Sequence, residues 1–136
     1  MNSGDSCVSS QQSALVVDDN SDNRMIFSIA LKQAGYRVVE AGDGFTCMEI
    51  LKQGFPFHLM VLDLRMPLMN GIEVLKAMRE LPSSDSMHVI VSTGNLDMVT
   101  SEVVKQRADY VVAKPINPME FVQLARRLQS VSRQPQ

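Results

Sequence analysis

Short apolar segments alternate along the chain with segments of helical periodicity. The apolar segments consist mostly of Val, Ile and Leu without strict polar alternation, which is typical of strands covered on both faces of a parallel sheet. We predict five strands, at residues 14–18, 37–41, 58–63, 88–93 and 110–113. A helical segment follows each of them, so the pattern predicts a doubly wound α/β sandwich with a five-stranded parallel sheet.

The helical segments carry start and stop signals. Ser21 or Asp22 is suited to cap the first helix, Asp97 the fourth and Asn117 the fifth, while Pro82 would end the third. We expect the apolar stripe of each helix to face the sheet. In chain order, the stripes comprise Phe27, Ala30, Leu31 and Ala34; Met48 and Leu51; Val74, Leu75, Met78 and Leu81; Val99 and Val103; and Phe121, Leu124, Ala125 and Leu128.

The composition is that of one ordinary globular domain. The 136 residues are 45% hydrophobic and 21% charged. We expect residues 1–12 to form a disordered tail, residues 13–131 the domain, and residues 132–136 a C-terminal tail. Cys7 and Cys47 cannot form a disulfide framework, and the absence of a CxxC pair argues against a redox or zinc site.

The charge balance and hydropathy exclude further classes of function. Thirteen basic residues against fifteen acidic ones give a net charge of −2, without the basic excess of proteins that bind duplex nucleic acid. The start of the chain lacks the features of a signal peptide, and its apolar stretches fall short of the ~20 residues that span a membrane. We therefore expect a cytoplasmic protein that binds neither nucleic acid nor membrane directly.

Polar side chains with complementary chemistry stand where the predicted strands end. Asp18 and Asp19 end the first strand, Asp63 the third, Thr93 the fourth, and Lys114 follows the fifth. Because the carboxyl ends of parallel strands share one edge of the sheet, where ligands bind, we expect these groups to converge.

Such a cluster predicts a cation and a phosphoryl group. Carboxylates about 4 Å apart repel by about 4 kcal/mol per pair at an effective dielectric of about 20, so a cation or a raised pKa must compensate. Oxygen-only ligands suit Mg²⁺. Lys114 can meet a phosphate oxygen, and Gly94 leaves its backbone N–H open beside the Thr93 hydroxyl. These are the parts of a phosphoryl-transfer site.

Four motifs occur in order, each at the end of its own strand: VVDDN, VLDLRMPLMNG, STG and AKP. Together they resemble the receiver domain of two-component response regulators, over about residues 13–131. The resemblance implies a flavodoxin-like (βα)5 fold with strand order 2-1-3-4-5. It also implies a signalling protein rather than a turnover enzyme, although one that can catalyse its own phosphorylation and dephosphorylation.

The resemblance assigns a role to each residue of the cluster. Asp63 would accept a phosphoryl group from a phosphohistidine of a sensor histidine kinase or a histidine phosphotransfer protein. Asp18, Asp19, Asp63 and the backbone carbonyl of Arg65 would bind Mg²⁺.

Other residues would bind the phosphoryl group or shape the site. Thr93, Gly94 and Lys114 would contact the phosphoryl group. Pro67 and Gly71 would shape the loop after the acceptor, and Lys114–Pro115 would be a cis peptide. Asn95 and Arg65 occupy positions that tune the phosphoryl lifetime in relatives.

One departure concerns the switch. In the family, phosphorylation moves the residue at the Thr93 position inward and repacks the surface of the fourth helix, fifth strand and fifth helix. An aromatic residue normally stands three positions before the lysine, whereas this chain has Val111. The adjacent Tyr110 should point to the opposite face, since side chains alternate along a strand.

Three alternatives stay open at this stage. A Mg²⁺-dependent phosphatase with an aspartyl nucleophile would need an acid where Arg65 stands, and a flavin-binding relative would need hydroxyls and glycines in place of the acidic DDNSDN. Val111 favours an interaction module that works without phosphate. The chain could be a stand-alone receiver or part of a longer regulator, and its output partner is unknown.

Overall fold

Five parallel strands form a single sheet in the computed structural model, which describes residues 11–131 and residue 133. Their order across the sheet is β2-β1-β3-β4-β5, which confirms the expected doubly wound topology. Compared with the prediction, β1 begins and ends one residue earlier and β3 begins one residue later, while the other three match. The strands are β1 (Ser13–Val17), β2 (Arg37–Ala41), β3 (Leu59–Asp63), β4 (His88–Thr93) and β5 (Tyr110–Ala113).

Within the described residues, an α-helix follows each strand. The helices are α1 (Ser21–Gln33), α2 (Gly44–Lys52), α3 (Gly71–Met78), α4 (Glu102–Arg107) and α5 (Pro118–Gln129). Short 3₁₀ turns, Pro82–Ser84 and Leu96–Thr100, precede β4 and α4. None of these helices is long and apolar enough to cross a membrane.

The first and last long helices differ in how well their caps were predicted. Asn117 caps α5, as expected, with its side chain accepting a hydrogen bond from the Glu120 N–H. The N-cap of α1 is Asn20, and neither Ser21 nor Asp22, because the Asn20 side chain accepts from the Asn23 N–H. All three residue types cap well, so composition alone could not distinguish them.

The third and fourth helices are shorter than predicted. Helix α3 ends at Met78, so Leu81 lies outside it, at the start of the 3₁₀ turn. Asp97, the predicted cap of the fourth helix, lies inside the Leu96–Thr100 turn, and Ser101 caps α4 instead. Val104 is the buried residue of α4, and the preceding turn buries no side chain.

The core is divided by the sheet into two clusters. Helices α1 and α5 cover one face, where the rings of Phe27 and Phe121 meet edge to face at 5.1 Å. The Tyr36 hydroxyl donates to the Ala125 carbonyl at 2.8 Å and so fastens α5 to the end of α1. Helices α2, α3 and α4 cover the other face. Cys47 is buried there.

Residues predicted to lie in the tails contact the domain where the structure describes them. The Gln12 carbonyl accepts from the Arg37 N–H at 2.8 Å, which extends the pairing of β1 with β2. Arg133 binds the Asp109 carboxylate through Nε at 3.0 and 3.1 Å. The predicted tails at residues 1–10, 132 and 134–136 lie outside the described residues.

Candidate functional site

Strand register brings the predicted cluster together at the carboxyl edge of the sheet. Strand β1 pairs with β3 through Val17 and Leu62, so the residues that follow them, Asp18 and Asp63, become neighbours. Strands β4 and β5 pair through Thr93 and Ala113, which brings Thr93 and Lys114 to the same edge. Asp18, Asp63, Thr93 and Lys114 thus lie at one edge of the sheet, as the strand pattern led us to expect.

Three carboxylates form the centre of the site. Asp18, Asp19 and Asp63 each offer an oxygen atom, and these atoms lie within 4.8 Å of one another. Asp18 and Asp63 are only 1% and 4% exposed, whereas Asp19 is exposed to solvent. The centre is therefore an acidic pocket in which two carboxylates are buried and the third, that of Asp19, is open to solvent.

Lys114 neutralises part of this charge. Its Nζ lies 2.8 Å from Asp18 Oδ2 and 3.4 Å from Asp63 Oδ1. The Lys114 N–H donates to the Thr93 carbonyl at 2.9 Å, and the Lys114–Pro115 peptide is cis, as expected. The ammonium group thus bridges two carboxylates that would otherwise repel each other.

The pKa of Asp63 reflects its surroundings. Burial, reinforced by the Asp18 carboxylate, raises the pKa of Asp63 from 3.8 to about 6. Lys114 and the Arg65 N–H, which donates to Asp63 Oδ1 at 3.2 Å, act in the opposite direction without cancelling the rise. The protein groups around Asp63 therefore compensate only part of the negative charge of its ionised carboxylate.

The donor set fits a hard divalent cation. One ammonium group contacts two of the three carboxylates, all the candidate ligand atoms are oxygens, and Asp19 is exposed to water. Mg²⁺ prefers this combination, because it binds one or two carboxylates and keeps several water ligands. A bound cation would also offset the repulsion from Asp18, which adds to the effect of burial on the pKa of Asp63.

Thr93 faces the loop that follows β4. Its hydroxyl donates to the Asn95 carbonyl at 2.9 Å and accepts from the Asn95 N–H at 3.0 Å. Thr93 is fully buried, while Gly94 is exposed and has open space where a side chain would stand. The hydroxyl therefore already has backbone partners in this conformation.

The loop after Asp63 is tightly folded against the strand end. A Cβ on Gly71 would stand 2.6 Å from the Asp63 carbonyl oxygen and 2.8 Å from Leu64 Cα, so only glycine fits. Leu68 adopts a left-handed conformation with φ of 70° beside Pro67. This geometry agrees with the shaping part expected for Pro67 and Gly71.

Val111 and Tyr110 lie on opposite faces of the edge strand. Val111 pairs in register with Val91, which belongs to the cluster under α2, α3 and α4, whereas Tyr110 pairs with Ile90 of the other cluster. Both are roughly half exposed. The alternation predicted for this pair is confirmed.

Two residues at the site were not foreseen from the sequence. Arg24 Nη1 donates to the backbone carbonyl of Asp18 at 2.7 Å. The only sign of this contact in the sequence is an arginine near the start of the helix that follows the acidic pair. Ser92 is the register partner of Asp63, and its fully buried hydroxyl has no hydrogen-bond partner among the described residues. Nothing in the sequence marks it.

Comparison with known proteins gives consistent matches. A family model described as the response regulator receiver domain matches residues 14–126. A probable chemotaxis protein CheY of Rhizobium etli is 37% identical over 103 residues, which cover 74% of this chain and 79% of that protein. Response regulator RR06 of Streptococcus pneumoniae is 38% identical over 120 residues, 88% of this chain but only 52% of RR06. The chain thus spans about half the length of that relative.

A solved structure agrees in fold. The chemotaxis protein CheY4 of Vibrio cholerae superposes with a TM-score of 0.77 at 28% identity, covering 87% of this chain and 98% of CheY4. The sequence and structure comparisons thus each match most of this chain.

Proposed function

Since this chain belongs to the response regulator receiver domain family, we propose that Asp63 is its phosphoacceptor. Receiver domains are signalling proteins of two-component systems rather than turnover enzymes. The observation that carries the proposal is the bridging of Asp18 and Asp63 by Lys114 beside three carboxylate oxygens within 4.8 Å of one another. Arg65 supplies no carboxylic acid for the phosphatase alternative.

The proposed step is attack by a carboxylate oxygen of Asp63 on the phosphorus of a phosphohistidine. The new O–P bond forms as the P–N bond breaks, and the imidazole nitrogen leaves with the electron pair. Lys114 and the Arg65 N–H both contact Oδ1, so we assign the attack to Oδ2. With a pKa of about 6, Asp63 is mostly ionised at neutral pH and can act as a nucleophile.

Divalent cation binding belongs to this proposal. Asp18, Asp19, Asp63 and the backbone carbonyl of Arg65 would hold Mg²⁺. When bound, the ion would neutralise charge on the phosphoryl oxygens. Lys114 would contact another phosphoryl oxygen while it keeps its contact with Asp18.

Thr93 would carry the signal away from the site. Its hydroxyl must exchange the Asn95 backbone for a phosphoryl oxygen, and the open space beside Gly94 leaves room for that group. Because Val111 has no ring to rotate, we propose that the change reaches the β5 surface through repacking of the loop and α4. The protein would also catalyse its own phosphorylation from small donors and its own dephosphorylation.

The partners follow from the chemistry. We propose a sensor histidine kinase or a histidine phosphotransfer protein as phosphodonor, with residues 13–131 as the receiver domain. The match covers only about half of the relative RR06. The output region or partner that would act with the present chain stays open. The cytoplasmic location and the absence of direct nucleic-acid and membrane binding stay predictions.

Phosphorylation in vitro tests the proposal. The full chain is incubated with Mg²⁺ and acetyl phosphate, and its intact mass is measured with and without EDTA. We expect a gain of one phosphoryl group that requires Mg²⁺ and disappears in Asp63→Asn. Asp85→Asn, at an exposed position away from the site, should behave as wild type.

Two results would overturn the proposal. One is the absence of a mass gain in the folded wild-type protein, and the other is an undiminished gain in Asp63→Asn. Unchanged binding of a partner by Asp63→Asn, with and without donor, would favour the phosphate-independent module instead.

A further inference from the structure

Arg24 connects helix α1 to the backbone of the acidic pair. Its Nη1 donates to the Asp18 carbonyl at 2.7 Å, and its Nε lies 3.2 Å from Glu40 Oε1. The guanidinium group therefore spans from β2 to the turn between β1 and α1. The side chain of Arg24 is 22% exposed, so its contact with the buried Asp18 is partly shielded from water, whereas the Glu40 side chain is 43% exposed.

Glu40 is itself held in place from the same helix. The Ser28 hydroxyl donates to Glu40 Oε2 at 2.9 Å, one turn after Arg24. Both carboxylate oxygens of Glu40 thus have partners on α1. Glu40 fixes the direction of the guanidinium group and neutralises its charge, so Arg24 can approach the acidic pocket without weakening its attraction for a cation.

The end of β2 leaves room for this arrangement. A Cβ on Gly42 would stand 3.3 Å from Arg24 Nη1, a contact that requires the arginine to shift. The Ala41 carbonyl accepts from the Asp18 N–H at 3.2 Å. The backbone N–H and C=O of Asp18 are therefore both engaged, one by β2 and the other by Arg24.

The side chain of Asp18 is fixed as well. Its Oδ1 accepts from the Asn20 N–H at 2.9 Å, and its Oδ2 faces Lys114. The peptide between Asp18 and Asp19 begins at the carbonyl that Arg24 holds. Rotation of this peptide would turn the exposed Asp19 carboxylate away from Asp18 and Asp63.

We propose that Arg24, oriented by Glu40, is a positioning residue that holds the Asp18–Asp19 peptide in the conformation that binds the divalent cation. The inference rests on the proposed function, because it concerns the cation site of that function. Outer partners that orient metal ligands commonly change metal affinity by about 10–100-fold when they are removed. The effect of Arg24 should fall at the lower end of that range, since it acts on a backbone carbonyl.

Calorimetric titration of the full chain with Mg²⁺ tests the proposal, with the urea unfolding midpoint measured in parallel without Mg²⁺. We expect Arg24→Met to raise the Mg²⁺ Kd by about tenfold. Arg24→Lys should recover only part of the affinity, because a single ammonium group cannot reach both Glu40 and the Asp18 carbonyl. Arg37→Met, which removes an exposed arginine at the far end of β2, should leave Kd unchanged.

A second pair of variants avoids dependence on the folding of Arg24→Met. Glu40→Gln and Ser28→Ala release the guanidinium group without touching Asp18, and both should raise Kd. In the Arg24→Met background, Glu40→Gln should add little, because the two residues act as one unit.

The outcomes separate this inference from the proposed function. Wild-type protein that binds no Mg²⁺ would contradict the cation site itself. If the wild type, Arg24→Met and Glu40→Gln all bind Mg²⁺ equally well, only the positioning role is overturned. If the two variants also have lowered unfolding midpoints, both residues have a purely structural role.

Discussion

Thr93 and Asn95 hold each other through two hydrogen bonds between the Thr93 hydroxyl and the Asn95 backbone, at 2.9 and 3.0 Å. These bonds occupy the hydroxyl that the proposed mechanism needs. Any contact between Thr93 and a phosphoryl oxygen must therefore replace an existing local interaction. The loop after β4 has to change its conformation for that exchange.

Thr93→Val should uncouple phosphoryl binding from the rest of the domain. With the phosphoryl mimic beryllofluoride, we expect amide chemical-shift changes near Asp63 to persist and those in α4 and β5 to shrink. The variant should lose about 1 kcal/mol of unfolding free energy, as is typical when a hydrogen-bonded side chain is removed.

Thr100→Val is a matched control for this prediction. Its hydroxyl also bonds a loop carbonyl, that of Asp97, at 2.9 Å, but at an exposed position. It should leave the shift pattern of the wild type intact. Changes in α4 and β5 that survive unaltered in Thr93→Val would contradict the role given to the hydroxyl.

The raised pKa of Asp63 predicts a specific pH dependence. Folding raises this pKa from 3.8 to about 6, so the native state binds more protons than the unfolded state between these values. Without divalent cations, the contribution of Asp63 to stability should therefore fall as pH rises from about 4 to 6. Asp63→Asn lacks this loss and should be more stable than wild type at pH 7, by roughly 3 kcal/mol.

Urea unfolding of both proteins at pH 4 and pH 7 in EDTA measures this difference. The gap between them should be small at pH 4 and large at pH 7. Saturating Mg²⁺ should stabilise the wild type at pH 7 more than Asp63→Asn, because the variant lacks one of the carboxylate ligands. A gap that is independent of pH would disprove the prediction.

Gly71 and Gly94 offer a matched pair of substitutions. Gly71→Ala would force a Cβ to within 2.6 Å of the Asp63 carbonyl oxygen, and we expect a loss of about 2 kcal/mol or more of unfolding free energy. Gly94→Ala meets open space and should cost less than about 0.5 kcal/mol. Chemical denaturation compares the two, and equal losses would show that the close approach at Gly71 can relax.

Ser92→Ala should stabilise the protein. The Ser92 hydroxyl is buried beside the end of β3 without a partner in the described part of the chain, so its removal relieves a desolvation cost of about 1 kcal/mol. Ser84→Ala should have the opposite effect, because the Ser84 hydroxyl donates to the Leu81 carbonyl at 2.9 Å. Unfolding midpoints of the two variants that move in the same direction would contradict this interpretation.

The site was predictable from sequence because its residues sit at strand ends. Uninterrupted apolar runs located β3 and β4, and parallel topology then required Asp63 and Thr93 to lie at one edge. Arg24 could not be found this way, because its partner is a backbone carbonyl, which has no signature in the sequence. The predicted cap of α1 was wrong for a related reason. Asn20, Ser21 and Asp22 are about equally suited to cap a helix, and only the backbone conformation shows that Asn20 does so.

Helix α4 shows a second limit of sequence-based prediction. Val99 and Val103 fit one helical stripe, yet the chain forms a 3₁₀ turn over Leu96–Thr100 and a separate helix after Ser101. Periodicity detects which side chains favour the core but not whether enough of them are buried to sustain a continuous helix.

In the stretch between β4 and β5, Val104 is the buried residue of α4, while Met98, Val99 and Val103 are only partly buried against the core. This stretch begins directly after the residue that would sense the phosphoryl group. Displacing it forfeits less hydrophobic stabilisation than displacing α1 or α5. The free energy of binding at the acidic pocket can therefore displace this stretch, while the sheet and the other helices keep their positions.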